Sequence, residues 1–436
     1  METKRLKGSR SPIRVLLFGV MLSHLGTYMV IPLLPIFLKV QKGMTITEIG
    51  LVLAVSPFTY QGGSLLGGWL ADRIGRRAII AVGALINAAA IAGFAFFDEL
   101  WMFIAMGVLS GLGVGLNAPS TKAAIAALAS KDSNKTTAFS LRGIAANIGT
   151  AIAGLLTYFV LGGNSALIFY VAAGLYILLG VTNWFFLPKG CGDEPCKPIP
   201  LRSYTEIFRN KAFVVFSLVS ILVWTLYTQL SLSLPLRAED VLPNPDAVSL
   251  IWTINAFIVI VLQTPISRWL IEKIHPMYAL ALGIIFIGGG LGSIYFATNF
   301  YWLILSGAIF IFGEMLIVPT LDATVSRIGT AQMIGVFFGI ANFASGLGEG
   351  SGKFVGGQLL SKGTSSFLPW LTFALAALAI SGMLVALRFW KPLQSQLDES
   401  SKKMEQTGTV MKKVPGKENQ YDSIVDWVLG KKKPAK

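Results

Sequence analysis

The stretch Gly68-Trp-Leu-Ala-Asp72-Arg-Ile-Gly75-Arg76-Arg77 connects two long apolar runs, and a relative of it, Arg268-Trp-Leu-Ile-Glu272-Lys-Ile-His275-Pro276, connects another two. Trp69, Leu70, Asp72, Arg73 and Ile74 correspond to Trp269, Leu270, Glu272, Lys273 and Ile274. In each copy an acidic residue ends one helix and a short turn opens the next. In the first copy Gly75 allows a turn that a side chain would resist. The register continues with Gly113 and Pro119 against Gly313 and Pro319. A duplicated unit is the economical reading.

Working outward, apolar runs dominate the whole chain. Hydrophobic residues make up 54% of the 436 residues and charged residues 13%. A soluble domain carries about 25% charged residues, so too few remain here to cover a water-facing surface. A bilayer core needs about 20 apolar residues in helical form. Twelve segments qualify, at 13–38, 47–71, 78–97, 100–127, 136–161, 165–187, 212–236, 247–271, 277–297, 300–325, 332–360 and 366–390. They must be helices, because backbone polar groups in lipid are satisfied only within the segment. The first segment is too long for a leader core and reads as a span.

The expected fold class is therefore an all-α membrane protein of twelve transmembrane helices in two pseudo-symmetric six-helix bundles. The bundles cover 1–187 and 212–391, a polar linker covers 188–211, and a Lys-rich disordered tail covers 392–436. Internal repeats with a site at their interface are a common way to build secondary transporters. The 36 Lys and Arg against 22 Asp and Glu give a net charge of +14. Nucleic acid is not the expected partner, since the basic residues cluster in short loops and at the ends. Loops on one side carry Arg73, Arg76, Arg77, Lys131, Lys135, Lys273 and Arg327, and the other side carries Lys39, Lys42, Arg237 and Lys362. The asymmetry places both termini in the cytoplasm.

The Gly68–Arg77 loop resembles the signature of the major facilitator superfamily, G-x-L-a-D-r-x-G-r-r/k, at all its fixed positions. The resemblance spans roughly the first 390 residues. Gly26 followed by Pro32-Leu-Leu-Pro35, and the run from Phe139-Ser-Leu-Arg142 to Asn147-Ile-Gly149, resemble the twelve-span drug:proton antiporters. The resemblance implies a major facilitator fold and a conformational latch built from Gly68, Asp72, Arg73, Gly75, Arg76 and Arg77. The arginines can equally serve only to set topology. Two departures from the antiporter pattern leave the direction of transport open. The fourth-span arginine is absent from Gly107-Val-Leu-Ser-Gly111-Leu-Gly113, and a proline is absent from Gly149-Thr-Ala-Ile-Ala-Gly154.

Ionisable residues within spans are costly and rare, which makes each a functional candidate. Glu314 and Glu349 are the candidates for proton coupling, because a carboxyl in an apolar cavity is held protonated more readily than in water. Glu349 and Lys353 lie four apart on one helix face, a spacing that suits an ion pair, so Glu349 can equally be structural. Arg142, Lys353, Lys122, Asp322 and Asn147 are the further cargo or coupling candidates; Lys122 and Asp322 occupy matching repeat positions. Arg142 is as readily a packing residue, and His24 more readily so. Tyr28, Trp224, Tyr227, Gln229, Trp252, Asn255 and Asn342 are candidate cavity residues. The glycines of the eleventh segment suit close helix packing.

Cys191 and Cys196 read as an incidental pair, and no cofactor, metal or catalytic arrangement is expected. The expected activity is proton-coupled efflux of a small organic compound by alternating access, from a monomer in a bacterial cytoplasmic membrane, with membrane lipids as its surroundings. Proton-driven or facilitated nutrient uptake is the first alternative. A transporter-like sensor or scaffold acting through the tail is the second.

Overall fold

A computed structural model of the chain describes residues 11–128, 135–161, 165–188, 207–329 and 334–397. Among these, eleven helical spans are long and apolar enough to cross a membrane. Their helices are α1 (Ser11–Val30), α2 (Leu34–Val40), α3 (Ile46–Ile74), α4 (Arg76–Phe96), α5 (Leu100–Leu128), α6 (Lys135–Leu155) and α7 (Ser165–Phe186) in the first half. The second half has α8 (Lys211–Tyr227), α9 (Leu230–Val241), α10 (Val248–Ile266), α11 (Pro276–Ser293), α12 (Phe300–Ile328), α13 (Ile334–Leu359) and α14 (Phe367–Phe389). The helix absent from the eleven is α13. It is 26 residues long but holds eight glycines together with Glu349 and Lys353, which lower its hydropathy. It is packed between α3 and α8.

Two expected spans are not single helices. The first is divided into α1 and α2 by a turn at 31–33, and the seventh into α8 and α9 at 228–229. In the first span Pro32 lies in the turn and Pro35 in the first turn of α2, where a missing N–H interrupts the ladder. Pro235, at the matching repeat position, lies inside α9, beyond the second break. In the seventh span Gln229 exploits the break: its Nε2 donates to Thr225 O at 2.8 Å and to Gly352 O at 2.7 Å. That bond ties α8 to α13.

The decisive loop folds as its residues dictate. Gly75 is the single residue between α3 and α4, at φ 99°, a region that disfavours any side chain. The second copy reaches the same end differently. His275 caps α11 by accepting Met277 N–H on Nδ1 at 3.2 Å, and Pro276 stands at the first helical position, where its missing N–H costs nothing.

Within each half the third and fourth spans cross at a pair of glycines. A Cβ on Gly83 would stand 2.6 Å from Gly113 O, and one on Gly283 would stand 3.0 Å from Gly313 O. Only glycine admits this approach. Between the halves α3 packs on α13 and α6 on α10. Residues 391–397, where the tail was expected to begin, are helical, with Leu393 and Leu397 buried. Gln396 exchanges hydrogen bonds with Asn210 at 3.2 and 3.4 Å. Cys191, Cys196, most of the linker and the rest of the tail lie outside the described residues.

Candidate functional site

The two halves enclose a central cavity of about 400 Å³. Its walls come from α1 and α6 on one side and α8 to α10, α12 and α13 on the other. A neighbouring cavity of about 460 Å³ lies between α1, α3 to α5 and α13. Ile31, Glu349 and Lys353 border both, so the two spaces meet at the middle of α13.

Glu314 lines the central cavity and is hydrogen-bonded to Tyr227 of α8. The charged and titratable groups that face it are Tyr227, Tyr28 of α1, and the Glu349–Lys353 pair of α13. No basic residue lies within four positions of it on α12. Glu349 and Lys353 are electrostatic neighbours, but among the described residues they form no ion pair within 4 Å. Aromatic rings cover the remaining wall. Trp224 and Tyr227 meet edge to face at 4.9 Å, and Tyr227 lies 5.7 Å from Phe310. Such rings supply apolar area and a negative face for a cation.

Two sequence candidates, His24 and Asn147, line the opposite wall, and Arg142 and Lys122 stand behind it. His24 stacks on Tyr28 at 5.9 Å and borders both the central cavity and a small pocket that contains Arg142. Asn147 lines the central cavity and donates to Gly143 O at 3.0 Å. Lys122 borders the second cavity, and Asp322 is within electrostatic reach of it without an ion pair. Of the expected cavity residues, Tyr28, Trp224, Tyr227, Trp252 and Asn255 line the central cavity and Asn342 the second. Gln229 is spent on the α8–α13 bond instead.

Tyr60, Thr150 and Phe310 line the cavities and escaped the sequence reading. Phe310 stands one helical turn before Glu314 and Thr150 three residues after Asn147, so each shares a face with a residue already singled out.

The three arginines of the loop make contacts within their own half. Arg76 donates to Ala123 O at 3.2 Å and Arg77 to Leu187 O at 3.2 Å. The Arg73 guanidinium lies 4.1 Å over the Trp69 ring, and that of Arg77 4.7 Å over Trp184. The side chain of Asp72 lies outside the described residues.

Contacts between the halves collect at the opposite end of the bundle, here called the Lys39 end. Lys39 pairs with Glu239 and, at 2.9 Å, with Asp240. Within the second half, Thr364 donates to Asp240 and holds it beside Lys39. Thr253 donates to Ala151 O at 2.9 Å between α10 and α6. Gly50 and Gly357 bring α3 and α13 to backbone contact, since a Cβ on Gly50 would stand 2.7 Å from the Gly357 Cα. Towards the Gly75 end, a Cβ on Gly62, Gly143 or Gly339 would meet nothing within 4 Å. The close contacts described between the halves thus concentrate at the Lys39 end, and further in α3 and α13 also touch through Gln61 and Gly346.

A partly exposed pair contributes at most about 1 kcal/mol, equivalent to roughly fivefold in population. Reversing Lys39 to Glu should therefore open the Lys39 end by about that factor without unfolding the protein. Adding Glu239→Lys should restore closure. Distances between spin labels on α2 and α9 measure both outcomes.

Comparisons with known proteins agree with this architecture. Residues 16–352 match the family model described as Major Facilitator Superfamily. The chain is 27% identical over 359 residues to the Multidrug resistance protein MdtH of Escherichia coli, covering 82% of this chain and 89% of that protein. The MdtH of Shigella boydii matches to the same extent. Among solved structures, the nucleoside transporter NupG superposes with a TM-score of 0.77 at 14% identity, over 86% of this chain and 99% of NupG. A POT family transporter solved with a thioalcohol conjugated peptide gives 0.74 at 16% identity, over 87% and 96%. At such identities the structures speak for the fold alone. The chain belongs to the Major Facilitator Superfamily: it is a multi-pass membrane protein and a secondary transporter of small molecules, not an enzyme.

Proposed function

We propose that this transporter exports small organic compounds in exchange for protons, from a bacterial cytoplasmic membrane in which both of its termini face the cytoplasm. The observation that carries the reading is Glu314. It stands mid-helix on α12, in the cavity between the halves, with Tyr227 as its hydrogen-bond partner. An ionised carboxylate at bilayer depth costs roughly 2.5–3.5 kcal/mol on insertion scales. A proton or a cationic cargo removes that cost, and the two compete for one group. The polar and glycine contacts between the halves concentrate at the Lys39 end, an arrangement suited to collecting cargo from the cytoplasm. The likeness to a protein named for multidrug resistance supports export. The absent fourth-span arginine keeps uptake as the second reading.

Flux in proteoliposomes under an imposed pH gradient separates the two. A panel of lipophilic cations and small metabolites should move opposite to protons. Movement with protons would establish uptake, and no gradient-dependent movement would overturn proton coupling.

A further inference from the structure

The two halves differ in charge around the central cavity, and Arg142 stands in a small pocket beside it. The helices of the first half contain only two carboxylates, Glu48 and Asp72, one near each end of α3. Glu48 is occupied in a cap, accepting Thr45 N–H at 2.8 Å. The middle of that half nevertheless carries Arg142, Lys122 and His24, close enough to act on one another. Lys122 has Asp322 within reach from the second half. Arg142 has no carboxylate partner among the described residues, and its buried Nε finds no protein acceptor. Its electrostatic neighbours are Tyr60, His24 and Lys122. It lines a small pocket with Ser23, His24, Asn117 and Thr121, and His24 is the wall shared with the central cavity.

Cations at bilayer depth are kept where they pair or where they meet a ligand. The planar guanidinium matches a carboxylate better than an ammonium does. Beyond His24, on the far wall of the central cavity, Glu314 offers the opposite charge with the rings of Trp224, Tyr227 and Phe310 beside it. We propose that Arg142 seats an anionic group of the cargo, and that the cargo is an aromatic zwitterion whose cationic end faces Glu314. This rests on the export reading and deepens it. The cationic end replaces the proton on Glu314, while the anionic end cancels the charge of Arg142, so the loaded cavity is no more charged than the protonated empty one with its counterion.

One aromatic body with three charge patterns tests the assignment. Equilibrium binding of radiolabelled tryptophan, tryptamine and indole-3-acetate is measured on the full chain in nanodiscs, for wild type, Arg142→Gln, Arg142→Lys and Glu314→Gln. A hydrogen-bonded charge pair contributes about 1.5–3 kcal/mol, equivalent to roughly ten- to a hundredfold in affinity. Wild type should bind tryptophan more tightly than either analogue. Arg142→Gln should lower tryptophan affinity by roughly tenfold or more and leave tryptamine within about a factor of two. Arg142→Lys should recover part of the loss, and Glu314→Gln should remove the preference for tryptophan over indole-3-acetate.

Equal weakening of tryptophan and tryptamine by Arg142→Gln overturns the proposal, as does tryptamine binding as tightly as tryptophan, or no tryptophan binding to wild type. Thermal unfolding of each variant excludes loss of fold. The export reading fails on a different observation, the absence of cargo movement against protons. A cation that moves against protons with no dependence on Arg142 overturns only the anionic seat.

Discussion

Replacing Glu314 with glutamine is expected to abolish flux driven by a pH gradient while leaving gradient-free exchange in place at cargo concentrations raised to offset the weaker binding. Glutamine keeps the shape and the hydrogen bond to Tyr227 but cannot release a proton. The carrier then remains in the form that the protonated acid would have, and the gradient has nothing to act on. Loss on the order of 100-fold, about 2.7 kcal/mol in the coupled step, should appear in gradient-driven efflux from proteoliposomes. Counterflow of labelled cargo between equal pools should persist. Glu349→Gln is the informative comparison, because Lys353 lies one turn away. If Glu349 serves mainly to neutralise Lys353, the single change leaves an unpaired cation and the added Lys353→Met recovers flux. If Glu349 carries protons, the double variant stays inactive.

The second large effect is expected at Gly50. Valine there would meet the backbone of Gly357 at 2.7 Å from its Cα and 3.2 Å from its nitrogen. Backbone atoms in a packed helix pair do not yield as a flexible side chain does. Overpacking of this kind costs about 1–3 kcal/mol, enough to shift a two-state population by roughly five- to over a hundredfold. Gly50→Val should therefore hold the Lys39 end apart and stop turnover without reducing expression. Spin-label distances between the outer ends of α3 and α13 would report the separation, and an unchanged distance with full transport would refute it. Gly62, on the same helix but towards the Gly75 end, has open space around it. Valine at Gly62 should leave the present conformation intact and obstruct only the closure that follows.

These effects depend on features that the sequence displays unequally. The helices and the repeat were legible because both are local or periodic: apolar runs of bilayer length, Gly75 between two of them, and glycines and prolines recurring at one offset. The break at 31–33 was legible in principle from Pro32 and Pro35, since proline interrupts a ladder, but bilayer length pointed to unbroken spans; the break at 228–229 precedes Pro235, which α9 contains, and no residue announces it. Glu314 and Glu349 stood out because a carboxylate inside an apolar run is conspicuous. Which residues meet was not legible. Lys39 with Glu239, Gln229 with Gly352 and Arg142 beside His24 are decided by how helices distant in sequence approach one another. Arg142 therefore looked as ready to pack as to bind. The glycines of α13 were read as a packing surface, and several serve so, yet the same helix presents Glu349 and Lys353 to both cavities.

The repeat also bears on which surfaces can recognise each other. Lys39 touches Glu239, and Lys122 is within reach of Asp322, and the two members of each pair occupy equivalent positions in the two copies. Two identical copies meeting about a two-fold axis would set lysine against lysine or acid against acid there. The opposite charges make each half a poor partner for itself and a good one for the other, which is specificity achieved partly by repulsion. The duplicated halves have thus become complementary rather than merely similar. Produced as separate chains, the halves are expected to favour unlike pairs over like ones, by the modest margin that two such charge contacts allow.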